Sequence, residues 1–485
     1  MGSFLRILPV LGIVVTLFAG TMSVPLAFAL AAGDGAASAH AMALGLTAGS
    51  GGLLWVVGHR FQDELQARDG FVLVTLVWGG LPVFGALPLL LQMPGLSFTD
   101  AYFEAMSGLT TTGSTVLTGL DRMPLSINVW RCLMVFLGGM GIIVLAVAIL
   151  PLLGVGGTQL FKAETPGPMK DAKLTPRIAE TARGLWTVYF AIALACLLAY
   201  RLAGMGWADA FMHMCSTMGL GGFSPYDASV GAFGSPFIEG VAVLFMSLAG
   251  INFALFFMVW RRRSLAVLWR DAEVRVYVAL LVGSVLVVAL VLTDAGTYAS
   301  FGESLRHAAF SVVSVASTTG FATVDYAQWP LFAPGLMLLL SCFLTCAGST
   351  GGGIKLIRAM LLFGQARREL TRIVHPRATL PVTMGGAVVS NQVMLSVLAF
   401  MLFYGVTMVA ATLALLASGL DMVTAFTAVV ASINNMGPGL GAVGPASNYQ
   451  SLTDFQTWVC SIAMLLGRVE LLSVLVLFTP QFWKN

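Results

Sequence analysis

Four short segments of the 485-residue chain share one spacing, and each lies between two long apolar runs. Every segment has an alanine at its second position, an aromatic residue at its third or fourth, and a glycine 13 residues after its first residue. The segments begin at Asp100, Asp209, His307 and Thr424, and the glycines are Gly113, Gly222, Gly320 and Gly437. Four matches at one offset indicate that a single structural unit is used four times.

The flanking runs are long and apolar enough to cross a membrane. The mean hydropathy of the chain is +0.90, with 58% hydrophobic and 10% charged residues. Because a transmembrane helix needs about 20 apolar residues, this composition predicts an all-α integral membrane protein rather than a soluble globule. The first run, residues 4–32, exceeds the roughly 7–15 apolar residues of a signal peptide and is interpreted as a retained helix. The six cysteines show no CxxC spacing and suggest neither a disulfide framework nor a zinc site.

Lysine and arginine residues gather in three segments, 162–183, 261–275 and 358–377. The positive-inside rule assigns these segments to the cytoplasm, and none of them indicates nucleic-acid binding. With these loops inside, we predict ten crossings with both termini cytoplasmic, beginning with two N-terminal spans at 4–32 and 38–58. The outgoing spans of the four repeats are predicted at 70–93, 185–205, 276–294 and 387–418, and the returning spans at 126–153, 234–260, 331–361 and 453–479.

The chain is accordingly divided into five units. Residues 1–68 hold the two N-terminal transmembrane helices. The four repeats, each a span, a pore helix and a second span, are 69–161, 162–260, 261–363 and 364–485.

The repeated segments are too short to cross a bilayer. A helix from Asp100 to Thr110 would be about 16 Å long at 1.5 Å per residue, half of the hydrocarbon thickness. Non-helical backbone at membrane depth is tolerated only inside protein or beside an aqueous cavity. Four half-helices directing their negative ends at one axis, each followed by a loop with exposed carbonyl oxygens, form a cation pore. Glycine suits such loops because it adopts backbone angles that other residues rarely do.

Six ordered motifs resemble the Trk/Ktr/HKT superfamily of potassium transporters: "SGLTTTGST", "LGGFSPYD", "ASTTGFAT", "INNMGPGLG", "CAGSTGGGIKLIR" and "GRVELLSVLVLF". The two extra N-terminal spans resemble the TrkH-type membrane subunits of bacterial Trk uptake systems. This resemblance implies a pseudo-fourfold, potassium-channel-like pore in the bacterial inner membrane. It also implies a homodimer with one pore per protomer.

The resemblance assigns the potassium-binding filter to each repeated glycine and the two residues before it. The implied ion-coordinating residues are Thr111, Thr112, Leu220, Gly221, Thr318, Thr319, Asn435 and Met436. Serine at the first filter glycine goes with sodium preference in plant relatives, so Gly113 argues for potassium. Because the four loops differ from one another and from the TVGYG loop of tetrameric channels, we expect fewer well-formed ion sites and imperfect exclusion of rubidium, caesium and sodium.

The third returning span is interrupted by "CAGSTGGGIK", in which four of the six residues from Gly348 to Gly353 are glycine. Since each glycine costs a helix interior about 1 kcal/mol relative to alanine, we predict an intramembrane loop over residues 346–353. The resemblance makes this loop the gate, and the alternative is close helix packing against small residues. The gate residues so implied are Gly348, Ser349, Thr350, Gly351, Gly352, Gly353, Lys355 and Arg468.

Arg468 lies within the last span, where a charge is costly and usually faces a cavity or a partner. It either contacts the gating loop and repels cations, or pairs with Glu470 or a loop carbonyl to fix helix packing. Lys355 either serves similarly or extends to the membrane interface.

Other polar residues lie beside the repeats. Asp100 and Asp209 begin half-helices and are interpreted as N-terminal caps rather than ion ligands. His213 and His307 are interpreted as packing residues rather than proton relays. Three acids follow the filter loops and either concentrate cations at the outer mouth or are ordinary solvated loop residues: Asp121, Asp227 and Asp325.

No enzyme motif occurs, neither a Walker phosphate loop nor HExxH, so the chain is predicted not to be an enzyme or an ATP-driven pump. K⁺ is the expected transported ion, with no organic cofactor on this chain. The resemblance implies a cytosolic TrkA-type nucleotide-binding ring as partner, docking on the basic inner loops. The alternative function is an alternating-access symport carrier coupling potassium to protons or sodium. Such carriers use inverted repeats, whereas these four share one orientation.

Overall fold

Apolar helices make up most of the regular structure in residues 2–60, 66–144, 178–378 and 380–483, which are the residues that the computed structural model describes. In chain order the helices are α1 (Gly2–Thr21), α2 (Ser23–Ala32), α3 (Ala37–Gly58), α4 (Ala67–Gly85), α5 (Leu87–Gln92), α6 (Phe98–Leu109), α7 (Leu125–Val144), α8 (Ile178–Leu202), α9 (Trp207–Gly219), α10 (Pro236–Ala249), α11 (Phe253–Arg262), α12 (Ala266–Arg270), α13 (Ala272–Asp294), α14 (Phe301–Ala316), α15 (Phe332–Phe343), α16 (Leu356–Val374), α17 (Asn391–Ala417), α18 (Met422–Ile433), α19 (Asp454–Arg468), α20 (Leu471–Leu475) and α21 (Pro480–Trp483). The strands β1 (Thr383–Met384) and β2 (Ala387–Val388) form an antiparallel pair in which Thr383 lies opposite Val388. The predicted all-α membrane class is confirmed.

The two predicted N-terminal spans correspond to α1 with α2, and to α3. Close packing of α1 on α3 depends on glycine, because a Cβ atom on Gly12 would lie 2.7 Å from the carbonyl oxygen of Gly51. A Cβ atom on Gly51 would likewise lie 2.9 Å from the carbonyl oxygen of Gly12. Small residues allow this approach of two backbones within a membrane.

Each repeat contains a half-helix between two longer elements, and the half-helices are α6, α9, α14 and α18. They contain 12 to 16 residues, which is too short for a hydrocarbon core of about 30 Å. All residues of α6 from Ala101 to Leu109 are buried, whereas Leu17, Leu290 and Leu402 on outer helices are mostly exposed. The half-helices therefore lie inside the protein, and the outer helices present apolar faces suited to lipid.

The caps of the half-helices differ from the prediction at two positions. Ser97, not Asp100, caps α6, since the Ser97 Oγ atom accepts a hydrogen bond from the Asp100 backbone N–H at 3.0 Å. The Asp209 carboxylate accepts a hydrogen bond from the Tyr226 hydroxyl at 3.1 Å, and α9 has no side-chain cap. The capping assignments for Asp100 and Asp209 are wrong because each helix begins two residues before its aspartate.

The two histidines pack as predicted. His213 is fully buried, with Nδ1 2.8 Å from the carbonyl oxygen of Asp209 and Nε2 3.2 Å from the Ser224 hydroxyl. The ring of His307 stacks on Tyr298 with centroids 4.6 Å apart. Both imidazoles serve the packing of half-helices against their surroundings.

Two of the predicted returning spans are bent. The second bends by 90° between α10 and α11, and the fourth by 110° after Arg468. Asn252 begins a new helix by accepting a hydrogen bond from the Ala254 N–H at 2.8 Å, and Glu470 has a left-handed φ of 60°. The predicted spans at 234–260 and 453–479 are therefore each a bent pair of helices rather than a single helix.

In the described part of the chain, seven helices are long and apolar enough to cross a membrane, or nine if each bent pair counts as one span. The third returning element, α15 with α16, is interrupted as well. The end of predicted span 126–153, the repeat boundary at 161 and 162, and most of the basic segment 162–183 lie outside the described residues.

Candidate ion pathway

The four repeated loops adopt the same unusual backbone. The residue two positions before each repeated glycine is left-handed, which non-glycine residues rarely adopt: φ is 56° at Thr111, 55° at Leu220, 63° at Thr318 and 52° at Asn435. The glycines are also left-handed, with φ of 83° at Gly113, 62° at Gly222, 85° at Gly320 and 95° at Gly437. Since four different sequences accept the same strain, the backbone itself is the feature that the loops share.

The loops close into a ring. A Cβ atom on each glycine would meet the carbonyl oxygen of the residue before the glycine of the next repeat, and the fourth repeat meets the first. These distances are 2.0 Å from Gly113 to Gly221, 2.3 Å from Gly222 to Thr319, 2.2 Å from Gly320 to Met436 and 2.9 Å from Gly437 to Thr112. The structure thus brings all twelve predicted filter residues together, and none of the four glycines leaves room for a Cβ atom without a shift of the neighbouring backbone.

Side chains behind the ring fix its position. The Thr112 hydroxyl lies 2.8 Å from that of Thr110 and accepts a hydrogen bond from Asn435 Nδ2 at 3.0 Å. The same amide nitrogen of Asn435 lies 3.0 Å from the carbonyl oxygen of Met464. The side chains of Leu220 and Met436 are fully buried in the core, so these two residues present only backbone to the ring.

A vestibule with about 550 Å³ of empty space lies outside the ring and is lined by all four repeated glycines. Asp227 lines this vestibule, and its carboxylate accepts hydrogen bonds from the N–H groups of Gly119 and Leu120 at 2.9 and 3.1 Å. Asp325 accepts hydrogen bonds from Ala327 and Gln328 at 3.2 and 2.8 Å, as a turn residue does. Asp121 is exposed. Of the three predicted mouth acids, Asp227 is the one at the opening.

The third returning span is interrupted between α15 and α16, where the sequence predicts an intramembrane loop. The loop lies against the inner ends of two half-helices, because a Cβ atom on Gly352 would be 2.0 Å from the carbonyl oxygen of Asn434. A Cβ atom on Gly351 would be 3.1 Å from the carbonyl oxygen of Ser317. Gly348 and Gly353 have φ of 72° and 78°. These glycines serve a non-helical loop under the ring rather than the packing of two continuous helices.

Arg468 contacts this loop. Its two Nη atoms donate hydrogen bonds to the carbonyl oxygens of Thr350 at 2.8 Å and Gly138 at 3.0 Å, and the residue is 2% exposed. The alternative pairing of Arg468 with Glu470 is not found, and Arg358 donates to the Glu470 carboxylate at 2.9 Å. The other form of that alternative, a bond to a loop carbonyl, is the one that Thr350 provides.

Lys355 also turns toward the loop, since its Nζ atom donates to the carbonyl oxygen of Gly351 and lies 3.4 Å from the Ser349 hydroxyl. It does not extend to the interface. A cavity with about 890 Å³ of empty space lies beside the loop and is lined by Lys355, Arg358, Arg468 and Glu470.

Comparison with known proteins identifies the family of this chain. A family model described as "TrkH: Cation transport protein" matches residues 39–485. The chain belongs to the TrkH family. The Trk system potassium uptake protein TrkH of Salmonella typhimurium is 46% identical over 483 residues, covering 99% of this chain and 100% of that protein. The TrkH protein of Escherichia coli K12 is 45% identical with the same coverage.

The crystal structure of the potassium transporter TrkH from Vibrio parahaemolyticus matches with a TM-score of 0.92 at 41% identity, covering 99% of this chain and 100% of that one. The resemblance drawn from the six motifs is confirmed. The repeat architecture of this TrkH-family chain is consistent with that structure.

Sequence reasoning missed a buried ion pair behind the filter of this TrkH-family protein. Arg131 on α7 donates from Nε to the Glu104 carboxylate on α6 at 2.7 Å, and both side chains are fully buried. The carboxylate also accepts from the Thr115 hydroxyl and the Val116 N–H at 3.0 and 3.1 Å, while Arg131 donates to the carbonyl oxygen of Ser224 at 3.1 Å. The sequence signal for this ion pair was an ionisable residue in a half-helix followed by one of opposite charge in the next span.

Glu273 was missed as well. This buried carboxylate at the start of α13 accepts hydrogen bonds from the N–H groups of Ala347 at 2.9 Å and Ile357 at 3.2 Å. It therefore holds both ends of the intramembrane loop.

Proposed function

We propose that this TrkH-family chain is the potassium-translocating subunit of a Trk uptake system, in which K⁺ passes through the ring of four loops. The closed ring, with one left-handed backbone pattern in all four repeats, is the observation that carries the proposal. Loops of this kind can direct carbonyl oxygens at a dehydrated cation. The half-helices add the negative ends of their dipoles, which favour cations over anions.

The K⁺ ligands in this proposal are backbone carbonyls and threonine hydroxyls of the two residues before each glycine. In repeats one and three, Thr111, Thr112, Thr318 and Thr319 supply carbonyl oxygens, and Thr111 and Thr318 can add hydroxyl oxygens. The hydroxyls of Thr112 and Thr319 instead lie 2.8 and 2.7 Å from those of Thr110 and Ser317, behind the ring. Leu220 and Met436 supply carbonyl oxygens alone, which agrees with their buried side chains. The unlike quarters of the ring support a filter with few strong sites and incomplete rejection of other alkali cations.

The gate in this proposal is the loop from Gly348 to Gly353 with Lys355 and Arg468. Both cations donate hydrogen bonds to carbonyl oxygens of the loop, and both line the cavity beside it. A K⁺ ion leaving the ring inward would meet these positive charges in a medium of low dielectric constant, where repulsion is strong. Opening requires the loop to withdraw and Arg468 to give up its bond to Thr350.

An alternating-access symporter coupling potassium to protons or sodium is the competing function. The channel-like mechanism is supported by the four half-helices, which run in one orientation toward a single ring, whereas carriers use inverted repeats. The relatives are named as potassium uptake proteins, and that name gives the net direction of potassium transport but not whether it is coupled to another ion.

We further propose that the chain resides in the bacterial inner membrane as a homodimer and is regulated by a cytosolic TrkA-type nucleotide-binding ring. Support comes from the basic segments at 261–275 and 358–377, in which Arg261, Arg262, Arg263 and Arg372 are exposed. Positive charge of this kind belongs on the cytoplasmic side. The nucleotide would then bind to the partner ring.

The test is cation flux in liposomes containing the purified protein, with potassium and sodium compared under an imposed voltage. In Gly113→Ser, the new Cβ atom would lie 2.0 Å from the Gly221 oxygen, so the ring must deform. We expect the potassium-to-sodium permeability ratio to fall about tenfold, equivalent to about 1.4 kcal/mol. Gly119→Ser is the matched control, because Gly119 is also left-handed at 69° but has no atom within 4 Å of its Cβ position.

Potassium flux that follows voltage, with selectivity lost in Gly113→Ser alone, supports the proposal. Uptake that depends on a proton or sodium gradient, with no voltage-driven potassium flux, would replace it with the carrier.

A further inference from the structure

The carbonyl oxygen of Gly437 differs from its three counterparts in the ring. It accepts a hydrogen bond from the Ser114 hydroxyl at 2.9 Å and a second from the Tyr449 hydroxyl at 2.9 Å. Both donor residues are 2% exposed. In the described part of the chain, the carbonyl oxygens of Gly113, Gly222 and Gly320 receive no such hydrogen bond.

The asymmetry follows from the residue after each glycine. This position holds Ser114, Phe223, Phe321 and Pro438 in the four repeats. We call the boundary between two neighbouring repeats of the ring a seam. The fourth repeat adjoins the first, so the Ser114 side chain reaches across that seam to Gly437. The other three residues have no side-chain donor. Only one of the four seams can therefore carry this hydrogen bond.

Tyr449 is held in place independently of Ser114. Its backbone N–H donates to the carbonyl oxygen of Thr115 at 2.9 Å, and its ring packs on Phe103 with centroids 5.4 Å apart. Both contacts are with the first repeat, although Tyr449 belongs to the fourth. The two hydroxyls thus form a rigid clamp on one carbonyl oxygen from the first-to-fourth seam.

We infer that Ser114 and Tyr449 are specificity-determining residues that withdraw the Gly437 carbonyl oxygen from ion coordination. A backbone carbonyl oxygen has two lone pairs, and the clamp engages both. The inference adds the carbonyl oxygens of the four glycines, which line the outer vestibule, as an outermost level beyond the ligands of the two preceding residues. With the clamp in place, this level offers a cation three free carbonyl oxygens rather than four. Because selectivity depends on the number and field strength of the coordinating dipoles, the clamp weakens discrimination at that level. The inference rests on the proposed function of the ring as the filter.

The test measures potassium-to-sodium and potassium-to-rubidium permeability ratios in liposomes for Tyr449→Phe, Ser114→Ala and the double variant. Each single change frees one lone pair without changing the fold of the ring. We expect the potassium-to-sodium ratio to rise about three- to tenfold in the double variant, the range that corresponds to one net hydrogen bond. Tyr326→Phe is the matched control, since Tyr326 is equally buried but makes no hydrogen bond to a ring carbonyl.

Ser114→Ala and Tyr449→Phe act on the same oxygen from two sides, so a folding defect in one leaves the other as the test. Unchanged ratios in both, or a fall in the ratio, would overturn the inference, because a fall means that the clamped oxygen already coordinates the ion. The Gly113→Ser variant distinguishes a failure of the proposed filter from a failure of the clamp. If it alters selectivity while the clamp variants do not, the filter stands and the clamp is refuted; if none alters selectivity, the filter fails and the clamp with it.

Discussion

Arg468 offers the sharpest perturbation of the proposed gate. Its two Nη atoms bond to carbonyl oxygens on separate elements, Thr350 in the intramembrane loop and Gly138 on α7. A hydrogen bond to a charged donor contributes about 1.5–3 kcal/mol. Withdrawal of the loop breaks the bond to Thr350, so the closed arrangement is favoured by that amount. Arg468→Met removes it, and the open population should rise about 10- to 100-fold.

The assay is potassium leak through liposomes containing the chain without a partner protein. Arg468→Lys keeps the charge but cannot span both carbonyl oxygens with one ammonium group, so we expect a leak between those of wild type and Arg468→Met. Arg201→Lys is the matched control, since Arg201 also donates to a backbone carbonyl, that of Met205 at 3.2 Å, but lies outside the pathway. A potassium leak in Arg468→Met within a factor of about two of wild type would refute the role of these hydrogen bonds in closing the pathway. If Arg468→Lys leaks no more potassium than wild type, positive charge alone closes the pathway.

Two further predictions concern stability. Arg131→Met leaves the buried Glu104 carboxylate unpaired, which costs about 3–5 kcal/mol, so the thermal unfolding temperature should drop sharply. Glu369→Gln, at an ion pair with Arg372 in which both side chains are exposed, should cost under about 1 kcal/mol. Equal losses in the two variants would contradict the reasoning. The Asp421 carboxylate caps α18 outside the membrane, and hydrogen bonds from the Thr424 hydroxyl and backbone N–H lower its pKa below the usual 3.8. Its stabilisation is therefore complete above that pH and disappears as the pH falls through the lowered pKa. Melting curves of Asp421→Ala should match wild type only at low pH, whereas Asp421→Asn, which retains a capping oxygen, should follow wild type more closely throughout.

The ring of four loops could be predicted because the requirement for glycine in each loop is local. A loop whose neighbour lies 2.0 Å from the position of a Cβ atom demands glycine at Gly113, and that demand recurs at one spacing in all four repeats. The left-handed backbone at Leu220 and Thr318 carried no comparable signal, because leucine and threonine rarely adopt it. The sequence pattern therefore located the ring but not its strain.

The contacts that hold the pathway together depend on distance in space. Arg358 and Glu470 are 112 residues apart, and Arg468 reaches Gly138 across 330 residues, so no local spacing could pair them. The bends after Ala249 and Arg468 were missed because the apolar runs continue through them. A glycine before Asn252 and a charge pair within the last span were signals of a break, but each also fits a continuous helix.

The loop and the ring are joined by hydrogen bonds, which ties gating to selectivity in the proposed pathway. The N–H of Gly352 donates to the Thr318 hydroxyl at 2.9 Å, and the Thr350 hydroxyl donates to the carbonyl oxygen of Met218 at 2.9 Å. Thr318 is itself a filter residue, and Met218 lies two positions before Leu220 at the end of α9. When the loop withdraws, the Thr318 hydroxyl loses its donor and is freed to face a cation. In the proposed mechanism the conducting ring therefore differs from the closed one in repeat three, where the Thr318 hydroxyl has lost the hydrogen bond from Gly352, while the end of α9 has lost its contact with Thr350.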